Sequence, residues 1–379
     1  MMKYEISQDG VLTIKDGTKM IPTGAFSNNT QIRIVIIPKS IRNIERNAFN
    51  LCCNLEEVII PERGLRIIGD NSFCCCFKLA RFDVPRTVVR IGKSAFESCY
   101  ALEKIDIPYG VSVLKEQTFI NCNLLKRISL PATLKVIGKL CFFGCRVLEY
   151  IKIPNSVYLI DDSCFSCCYM LKNIDLSKNI KKLGCGIFTR CEKLLSIKIP
   201  KKIKRITMDF CRDCVSIETI YIPDNIEIIE RLAFFGCAKL RDVRLSNRMT
   251  VISNHAFAYC DALESIIIPK SVIRIDIGAF SNCSKLRNVV FKNANALYDA
   301  SAFDNCIRPL LKKPYRVGKF EDLKKLTVFN EDICPITRET MTNKTVVVLL
   351  KCGHIFTKTA FVEWEKLENY CPYCRAVIS

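Results

Sequence analysis

Apolar and polar residues alternate in short segments that recur at a nearly constant interval along the first 300 residues. In one such unit, the segment from Leu102 to Ile107 reads L-E-K-I-D-I, which predicts a short strand with one face turned inward. Pro108 follows at once and predicts the end of the strand, because proline has no N–H group for the ladder. Ahead of the strand, Gly92 predicts a turn and Phe96 is expected to enter the core.

The interval between equivalent residues is 23, with one step of 24. A single unit of this length cannot bury its apolar side alone, so the units must stack on one another. The pattern therefore predicts a repeat solenoid with a parallel β ladder and short turns or helices between the strands. The recurring proline slot holds Pro38, Pro61, Pro85, Pro108, Pro131, Pro154, Ser177, Pro200, Pro223, Ser246 and Pro269, and the aromatic slot holds Phe26, Phe49, Phe73, Phe96, Phe119, Phe142, Phe165, Phe188, Cys211, Phe234, Phe257, Phe280 and Phe303.

Half of the 24 cysteines fall three residues after an aromatic slot. A residue that recurs once per coil stacks on itself along a solenoid, and a small thiol fits there as a core residue. Eight further cysteines lie elsewhere in the repeats and show no metal-ligand spacing. We expect no disulfides, because no secretory signal is evident and reducing compartments keep thiols free. The recurring positions, here called the ladder cysteines, are Cys52, Cys76, Cys99, Cys122, Cys145, Cys168, Cys191, Cys214, Cys237, Cys260, Cys283 and Cys306.

The residues on either side of the middle apolar position of each strand should face outward. They form a mixed polar face that includes two tyrosines, which suits a protein partner better than a polyanion. The alternative is a face that is simply solvated. The pairs are Arg81/Asp83, Lys104/Asp106, Arg127/Ser129, Tyr150/Lys152, Asn173/Asp175, Ser196/Lys198, Thr219/Tyr221 and Asp242/Arg244.

These in-phase units closely resemble the BspA-like leucine-rich repeat family over about residues 20–306. The resemblance implies a curved solenoid with a parallel sheet on one face. It says little about the ligand, because such repeats bind many kinds of molecule. We assign residues 1–306 to this solenoid of about 12 repeats.

Charge adds a second feature. Of the net charge of +19, about +14 lies on residues 1–306, +5 on 307–330 and none on 331–379. A basic surface can attract nucleic acid, anionic membranes or acidic proteins. The basic residues look scattered along the repeats, which favours lysines on solvated outer loops and argues against nucleic acid as a partner.

The first residues and the apolar stretches predict where in the cell the protein is found. The first residues carry acids and no apolar core of a secretory signal, and no apolar stretch approaches the ~20 residues of a membrane span. We therefore expect an intracellular, cytoplasmic protein that is not secreted and does not contact membranes, with the nucleus as the alternative. Residues 307–330 break the repeat with Pro309, Pro314 and a basic run, and predict either a linker or a cap over the last coil.

The tail combines ligand types and spacings that suit a metal. Cys352 and His354 are followed after 17 residues by Cys371 and Cys374. Two cysteine- and histidine-bearing turns of this kind supply four soft or borderline ligands, which suits tetrahedral zinc with no open position. Such a site is structural, and a unit this small usually needs one. We predict one zinc ion, against the alternative of a cysteine cluster without metal.

The tail also resembles a RING finger, over residues 331–379. A standard RING holds two zinc ions with eight ligands, and the set for the second ion is complete here. At the first site, Cys334 matches a ligand, whereas Thr337, Thr357 and Ala360 stand where the other ligands should be. The resemblance implies that hydrogen bonds from Thr337 and Thr357 replace the first zinc, as in U-box and SP-RING relatives. The second unit is thus predicted to be a small α+β zinc-binding RING-like domain.

Function follows from the same resemblance. RING fingers dock a conjugating enzyme that carries a ubiquitin thioester and hold it in a reactive conformation, which is catalysis by positioning. The resemblance assigns Ile336, Trp364 and Pro372 to the apolar docking patch and Arg375 to the residue that bridges enzyme and ubiquitin. These apolar residues can also serve as the small core of the zinc unit.

The leading hypothesis is a ubiquitin ligase in which the solenoid binds a protein substrate and the tail recruits a ubiquitin-conjugating enzyme. A SUMO ligase of SP-RING type is an alternative, favoured by the Cys-Pro-Ile-Thr start at Cys334. Two non-enzymatic alternatives are a protein-interaction scaffold with a zinc-stabilised tail and nucleic-acid binding through the basic solenoid. The sequence contains no glycine-rich phosphate loop, nucleophile triad or paired-carboxylate site of its own.

Overall fold

Most of the chain is a parallel β-solenoid, as the repeat predicts. The structure is a computed structural model, and it describes residues 2–293, 296–307, 310–312, 316–324, 332–342, 345–350, 352–367 and 370–373. Every coil except the one that contains residues 196–198 begins with the predicted strand, and these strands form the first ladder. Equivalent residues pair in register, so that Lys104 lies beside Arg127 and Asp106 beside Ser129. The strands are Val11–Ile14, Ile34–Ile36, Glu57–Ile59, Arg81–Phe82, Lys104–Asp106, Arg127–Ser129, Tyr150–Lys152, Asn173–Asp175, Thr219–Tyr221, Asp242–Arg244, Ser265–Ile268, Asn288–Phe291 and Leu310–Lys312, with Tyr4–Ile6 antiparallel to the first of them.

A second ladder of two-residue strands follows the proline corner in each coil. Sequence reasoning predicted one ladder and missed this one, because a two-residue strand is too short to show alternation. Its strands are also parallel and in register, as at Val136 beside Leu159. They are Met20–Ile21, Asn43–Ile44, Ile67–Ile68, Arg90–Ile91, Val113–Leu114, Val136–Ile137, Leu159–Ile160, Lys182–Leu183, Arg205–Ile206, Ile228–Ile229, Val251–Ile252, Arg274–Ile275 and Leu297–Tyr298.

The rest of each coil is a series of tight turns, with one 3-10 helix at Ala300–Phe303 among the described residues. In twelve successive coils, the residues two before and two after the aromatic slot have positive φ, as Asn47 at 57° and Leu51 at 60° do around Phe49. Asparagine and glycine are common there because they tolerate the left-handed region. Gly92, which we predicted to allow a turn, lies outside that region. A Cβ at Gly92 would lie 2.4 Å from the Asp70 nitrogen, so glycine is there because adjacent coils approach closely.

Phenylalanine rings fill the centre of the solenoid and stack along its axis. The rings of Phe142 and Phe165, for example, have centroids 5.4 Å apart and planes 8° apart. Where Cys211 occupies the aromatic slot, the preceding residue Phe210 enters the core instead and meets the ring of Phe188 edge-on, at 88°. Both residues are fully buried, so the substitution changes the ring geometry and leaves the core filled.

The C-terminal unit has its own sheet and its own core. Its antiparallel strands are Arg316–Lys319, Val346–Leu349 and Ile355–Thr357, and its helices are Phe320–Leu323 and Lys358–Leu367. The described part of the predicted linker 307–330 therefore belongs partly to the solenoid and partly to the C-terminal unit. Leu310–Lys312 extends the first ladder, whereas Phe320 and Leu323 are buried in the C-terminal core and do not cap the last coil.

Candidate metal centre

Three of the four predicted zinc ligands come together in the C-terminal unit. The sulfurs of Cys352 and Cys371 and a ring nitrogen of His354 all lie within 4.8 Å of one another. Nδ1 of His354 lies 3.3 Å from Sγ of Cys352. The fourth predicted ligand, Cys374, lies outside the described residues. The described ligands come from two separate segments, one in a hairpin turn and one beyond the second helix.

A tight turn positions the first pair of ligands between two antiparallel strands. The N–H of Leu350 donates to the carbonyl of His354 at 2.9 Å, and the N–H of Gly353 donates back to Leu350 at 3.0 Å. Gly353 has φ of 81°, a conformation that glycine adopts without the steric cost other residues bear. The turn thereby directs Cys352 and His354 to the same point.

The second segment is packed against the first. Cys371 is fully buried, and the ring of Tyr373 packs on that of His354 with centroids 4.7 Å apart. His354 itself is 9% exposed. Cys371 and His354 are thus shielded from solvent and Cys352 is half-buried, which is typical of a structural site and not of a catalytic one.

The chemistry of the donor set fits zinc. Ligand atoms of a tetrahedral zinc ion lie about 3.5–3.8 Å apart, since Zn–S bonds are about 2.3 Å and Zn–N bonds about 2.0 Å long. The 3.3 Å separation of Cys352 Sγ and His354 Nδ1 is close to that spacing. Two thiolates and an imidazole select zinc over magnesium or calcium, which prefer oxygen ligands.

At the degenerate first site, hydrogen bonds surround the buried thiol of Cys334. Cys334 is fully buried, and its Sγ accepts the N–H of Thr357 at 3.4 Å and lies 3.6 Å from the Thr357 hydroxyl. Thr337 also acts on the Cys334 sulfur, since its main-chain and hydroxyl donors lower the pKa of that thiol. Ala360, at the sixth ligand position, packs half-buried against the C-terminal core. The structure thus brings Cys334, Thr337 and Thr357 together where a standard RING has its first zinc.

These bonds change the acidity of Cys334. Burial acts to raise the pKa of its thiol, but the main-chain and hydroxyl hydrogen bonds from Thr337 and Thr357 oppose it and hold the pKa below the usual value. Donors aimed at a sulfur favour its charged form, as a metal ion also does. The two threonines therefore supply part of the electrostatic environment that zinc supplies in a complete site.

The predicted docking residues that the structure describes all belong to the C-terminal unit. Ile336 is half-buried against the C-terminal core, and Pro372 is half-buried between Cys371 and Tyr373. Trp364 is half-buried on the second helix, and its Nε1 donates to the carbonyl of Tyr370 at 2.9 Å. Arg375 lies outside the described residues.

The ladder cysteines form a second, very different set of thiols. Each donates its S–H to the main-chain carbonyl of the aromatic slot one coil earlier, as Cys168 does to Phe142 at 3.2 Å and Cys237 does to Cys211 at 3.2 Å. All twelve make this bond, at 3.0 to 3.4 Å. Sequence reasoning placed these thiols in the core but missed the bond. The available signal is the offset from thiol to acceptor, which is 26 residues in eleven cases and 27 from Cys76 to Phe49.

Burial keeps thiols of this set, such as those of Cys52, Cys76 and Cys99, protonated. It raises the pKa of Cys52 to about 12 and that of Cys76 and Cys99 well above the usual value. The thiolate is the form that binds metals and attacks disulfides. No disulfide is formed by the cysteines that the structure describes, and the metal cluster found among the described residues includes no ladder cysteine.

The outward strand positions are exposed where the sequence places them. Every residue of the eight predicted pairs is exposed, while the middle position between them is buried in all pairs but one, where Ile128 is half-buried. In the described part of the chain, no helix combines the length and the apolar character that crossing a membrane requires.

Comparison with known families agrees with both halves of the architecture. The model of the BspA type leucine-rich repeat region matches in 6 copies, over residues 8–126, 117–234 and 206–322. The chain belongs to this family. The BspA-type repeats are followed by a match to the Ring finger domain at residues 332–375, which takes in all the predicted zinc ligands.

Solved structures repeat the solenoid. A leucine-rich repeat protein from Bacteroides ovatus is 24% identical with a TM-score of 0.64, over 81% of this chain and 91% of that one. A leucine rich cell surface protein from Faecalibacterium prausnitzii is 25% identical with a TM-score of 0.53, over 82% and 92%. These likenesses show the fold of the repeats. No curated protein matches the chain.

Proposed function

We propose that this protein is a ubiquitin ligase in which the C-terminal unit recruits a ubiquitin-conjugating enzyme and the solenoid holds a protein substrate. The observation that carries the proposal is the convergence of Cys352, His354 and Cys371 within a segment that matches the Ring finger domain. Such a cluster is a structural centre, so the activity resides in the surface that it organises.

In this proposal, the docking surface is formed by the second helix and the segment that follows it. The bond from Trp364 to the carbonyl of Tyr370 ties the second helix to the segment that carries Pro372. Tyr373 is 58% exposed beside His354, which adds apolar area to the same segment. In this proposal, zinc fixes that segment, and Trp364, Pro372 and Ile336 contact the conjugating enzyme, while Arg375 bridges to ubiquitin.

The chemistry proposed for this unit is positioning alone. The thioester, the nucleophile and the leaving group all belong to the conjugating enzyme and the substrate. Holding reactive groups in a productive geometry can by itself contribute several kcal/mol to the rate. The proposal also requires an intracellular location, since the ubiquitin-conjugating enzymes work there.

SUMO transfer is a second candidate. The threonine-bonded Cys334, which replaces the first zinc site, is the feature that favours it, because the resemblance to SP-RING proteins rests on the segment from Cys334 to Thr337. The match to the Ring finger domain over residues 332–375 favours ubiquitin.

A transfer assay separates these functions. The full-length chain is incubated with activating enzyme, a panel of conjugating enzymes and either ubiquitin or SUMO, and chain formation is followed. We expect ubiquitin transfer that falls at least about tenfold in Ile336→Ala and Arg375→Ala, the size of a lost interface anchor. Val346→Ala is the matched control, because Val346 is an apolar residue of the same unit that is 47% exposed.

Zinc content is measured in each variant, so that a loss of activity is read only from variants that keep the metal. No transfer by the wild type across the panel would leave the protein as an interaction scaffold. Transfer of SUMO instead of ubiquitin would favour the second candidate. Equal activity of all three variants would remove the docking surface that we propose.

A further inference from the structure

Basic residues are concentrated in one part of the solenoid, contrary to the scattered distribution expected from the whole chain. Between Lys172 and Arg205 there are eleven basic residues and two acidic ones, a net charge of +9. This segment is about a tenth of the chain and carries nearly half of its net charge of +19. Seven of these residues, here called the basic strip, lie on two successive coils at the proline corner and the second ladder: Lys178, Lys181, Lys182, Lys201, Lys202, Lys204 and Arg205.

Like charges are stacked in the basic strip. All seven residues are exposed. The coils remain in register here, since Lys202 Nζ donates to Asn179 Oδ1 at 2.8 Å and Thr207 Oγ1 donates to the Gly184 carbonyl at 2.7 Å. Lys204 therefore follows Lys181, and Arg205 follows Lys182, one coil further along. Adjacent coils are about 4.8 Å apart, and like charges directly opposite at that distance are destabilising.

Both ladders are interrupted at this point. The N–H of Lys181 donates to the Tyr158 carbonyl at 2.8 Å, and the N–H of Glu227 donates to the Lys204 carbonyl at 2.9 Å. Between Lys181 and Lys204, both described, this bond is missing, and the strands Lys182–Leu183 and Arg205–Ile206 belong to different sheets. Residues 196–198 of the same coil form no strand. The same bond is also missing between the uncharged residues Val89 and Ser112, which the structure describes too. It is kept through the stacked cations Lys19, Arg42 and Arg66, so charge does not explain the interruption.

Ion pairs neutralise only one edge of the basic strip. Lys204 pairs with Glu227 at 3.6 Å and Arg205 with Glu230 at 2.9 Å, both on the next coil. Within the described chain, no ion pair involves Lys178, Lys181, Lys182 or Lys201. The free cations thus form a narrow band that runs across the solenoid and ends at acidic side chains on its C-terminal side.

We propose that the basic strip binds an extended acidic segment of a protein partner, which under the proposed function is the substrate. The segment from Lys178 to Lys182 includes a turn and spans at most about 13 Å, at about 3.3 Å per extended residue, and the strip is two adjacent coils wide. An extended peptide with several aspartates or glutamates has these dimensions. Its carboxylates relieve the repulsion between the stacked cations.

Nucleic acid fits the basic strip less well. A polyanion that continues along the solenoid meets Asp224 and Glu227 on the next coil, and both are exposed. Single strands are usually held by aromatic platforms as well as cations, and the segments 178–182 and 201–205 contain no aromatic residue. The partner proposed here is therefore a protein.

The test is a binding measurement that needs no ubiquitin. A fluorescein-labelled peptide with six glutamates is titrated with the full-length chain, and anisotropy is followed at low and at physiological salt. We expect binding that weakens with salt and falls at least about tenfold in the variant Lys178→Gln/Lys181→Gln/Lys182→Gln/Lys201→Gln. The matched control is Lys78→Gln/Lys239→Gln/Lys270→Gln/Lys285→Gln, which removes the same charge from exposed lysines elsewhere.

Equal losses in the two variants would overturn the proposal, because net charge and not the strip would then attract the peptide. So would tighter binding of an oligothymidylate or of vesicles with an anionic lipid. The strip variant should also melt at a higher temperature than the wild type, since it removes repulsion, and a lower melting temperature would contradict the stacking argument. A chain that binds the peptide but transfers no ubiquitin keeps this proposal and loses the proposed function.

Discussion

The solenoid and the C-terminal unit use the same residue, cysteine, in opposite ways. In the solenoid, the thiol of Cys168 is buried, stays protonated and donates to a carbonyl of the previous coil. In the C-terminal unit, Cys352 and Cys371 meet a histidine, and Cys334 accepts hydrogen bonds from threonines. The groups that surround a cysteine therefore decide its role. A carbonyl acceptor favours the thiol, whereas donors and metals favour the thiolate.

Removal of zinc should give the largest difference between the two regions. Zinc contributes about 10–16 kcal/mol to the folding of small zinc units, and the ladder cysteines do not depend on it. Treatment of the full-length chain with a strong chelator should therefore unfold the C-terminal unit and leave the solenoid folded. Trp364 is the only tryptophan, so its fluorescence reports on the first event and far-ultraviolet circular dichroism mainly on the second. An unchanged Trp364 signal in metal-free protein would contradict the comparison.

Alkaline pH should act on the solenoid. In the folded chain, burial raises the pKa of the Cys52 thiol to about 12 and that of the Cys76 and Cys99 thiols well above the usual value, whereas a cysteine ionises at about pH 8.5 when unfolded. Above about pH 8.5 the unfolded chain binds fewer protons than the folded one, so the free energy of unfolding falls as the pH rises. Each thiol that stays protonated contributes about 1.4 kcal/mol per pH unit to this loss, up to its folded pKa. Urea midpoints followed by circular dichroism at pH 8 and pH 10 check this, and equal midpoints would refute it.

The two regions also differ in how much the sequence could predict. The period of 23 residues fixes which phenylalanines and cysteines face the core, because a residue that recurs once per coil must stack. The spacing of Cys352, His354 and Cys371 likewise predicts a shared site. The bond from Cys168 to the Phe142 carbonyl was harder to predict, since the recurring offset indicates only that the two groups lie on adjacent coils and the bond also depends on the distance between the coils.

Other features could not be predicted from the sequence, because they depend on how successive coils of the solenoid stack. Lys181 and Lys204 are 23 residues apart and look scattered in the sequence, but they lie on successive coils of the solenoid. Phe210 continues the row of core rings beside Cys211 by a shift of one residue, which an argument from a strict period does not predict. Ile336 and Trp364 were chosen by resemblance, and their part in docking stays a prediction.

A single ladder thiol should contribute modestly. Cys145→Ala removes the donor to the Phe119 carbonyl, a bond of 3.4 Å, and leaves a small cavity. We expect a loss of about 1–2 kcal/mol in the free energy of unfolding, measured by urea denaturation. Cys185→Ala is the control, because Cys185 is half-buried and is not one of the ladder cysteines. This variant should change the free energy of unfolding by less. A larger loss in the control would show that the ladder bond adds nothing.

The smallest effect is expected at the degenerate site. Thr357→Val keeps the volume of the side chain but removes the hydroxyl that lies 3.6 Å from the Cys334 sulfur. The C-terminal unit should lose about 1 kcal/mol, read from Trp364 fluorescence during denaturation. Thr357→Ser restores the hydroxyl and should recover most of the loss. If Thr357→Ser were destabilised as much as Thr357→Val, restoring the hydroxyl would not restore stability. Packing of the side chain, and not the hydrogen bond, would then explain the loss.

The most direct test of the comparison is a count of metal ions by native mass spectrometry of the full-length chain, with Cys371→Ala measured beside it. The account predicts one zinc ion per chain in the wild type and none in the variant, because the threonine-bonded site and the ladder thiols hold no metal. Two zinc ions in the wild type would contradict the replacement of the first site by hydrogen bonds. No zinc in the wild type, or zinc that persists in Cys371→Ala, would contradict the metal centre itself.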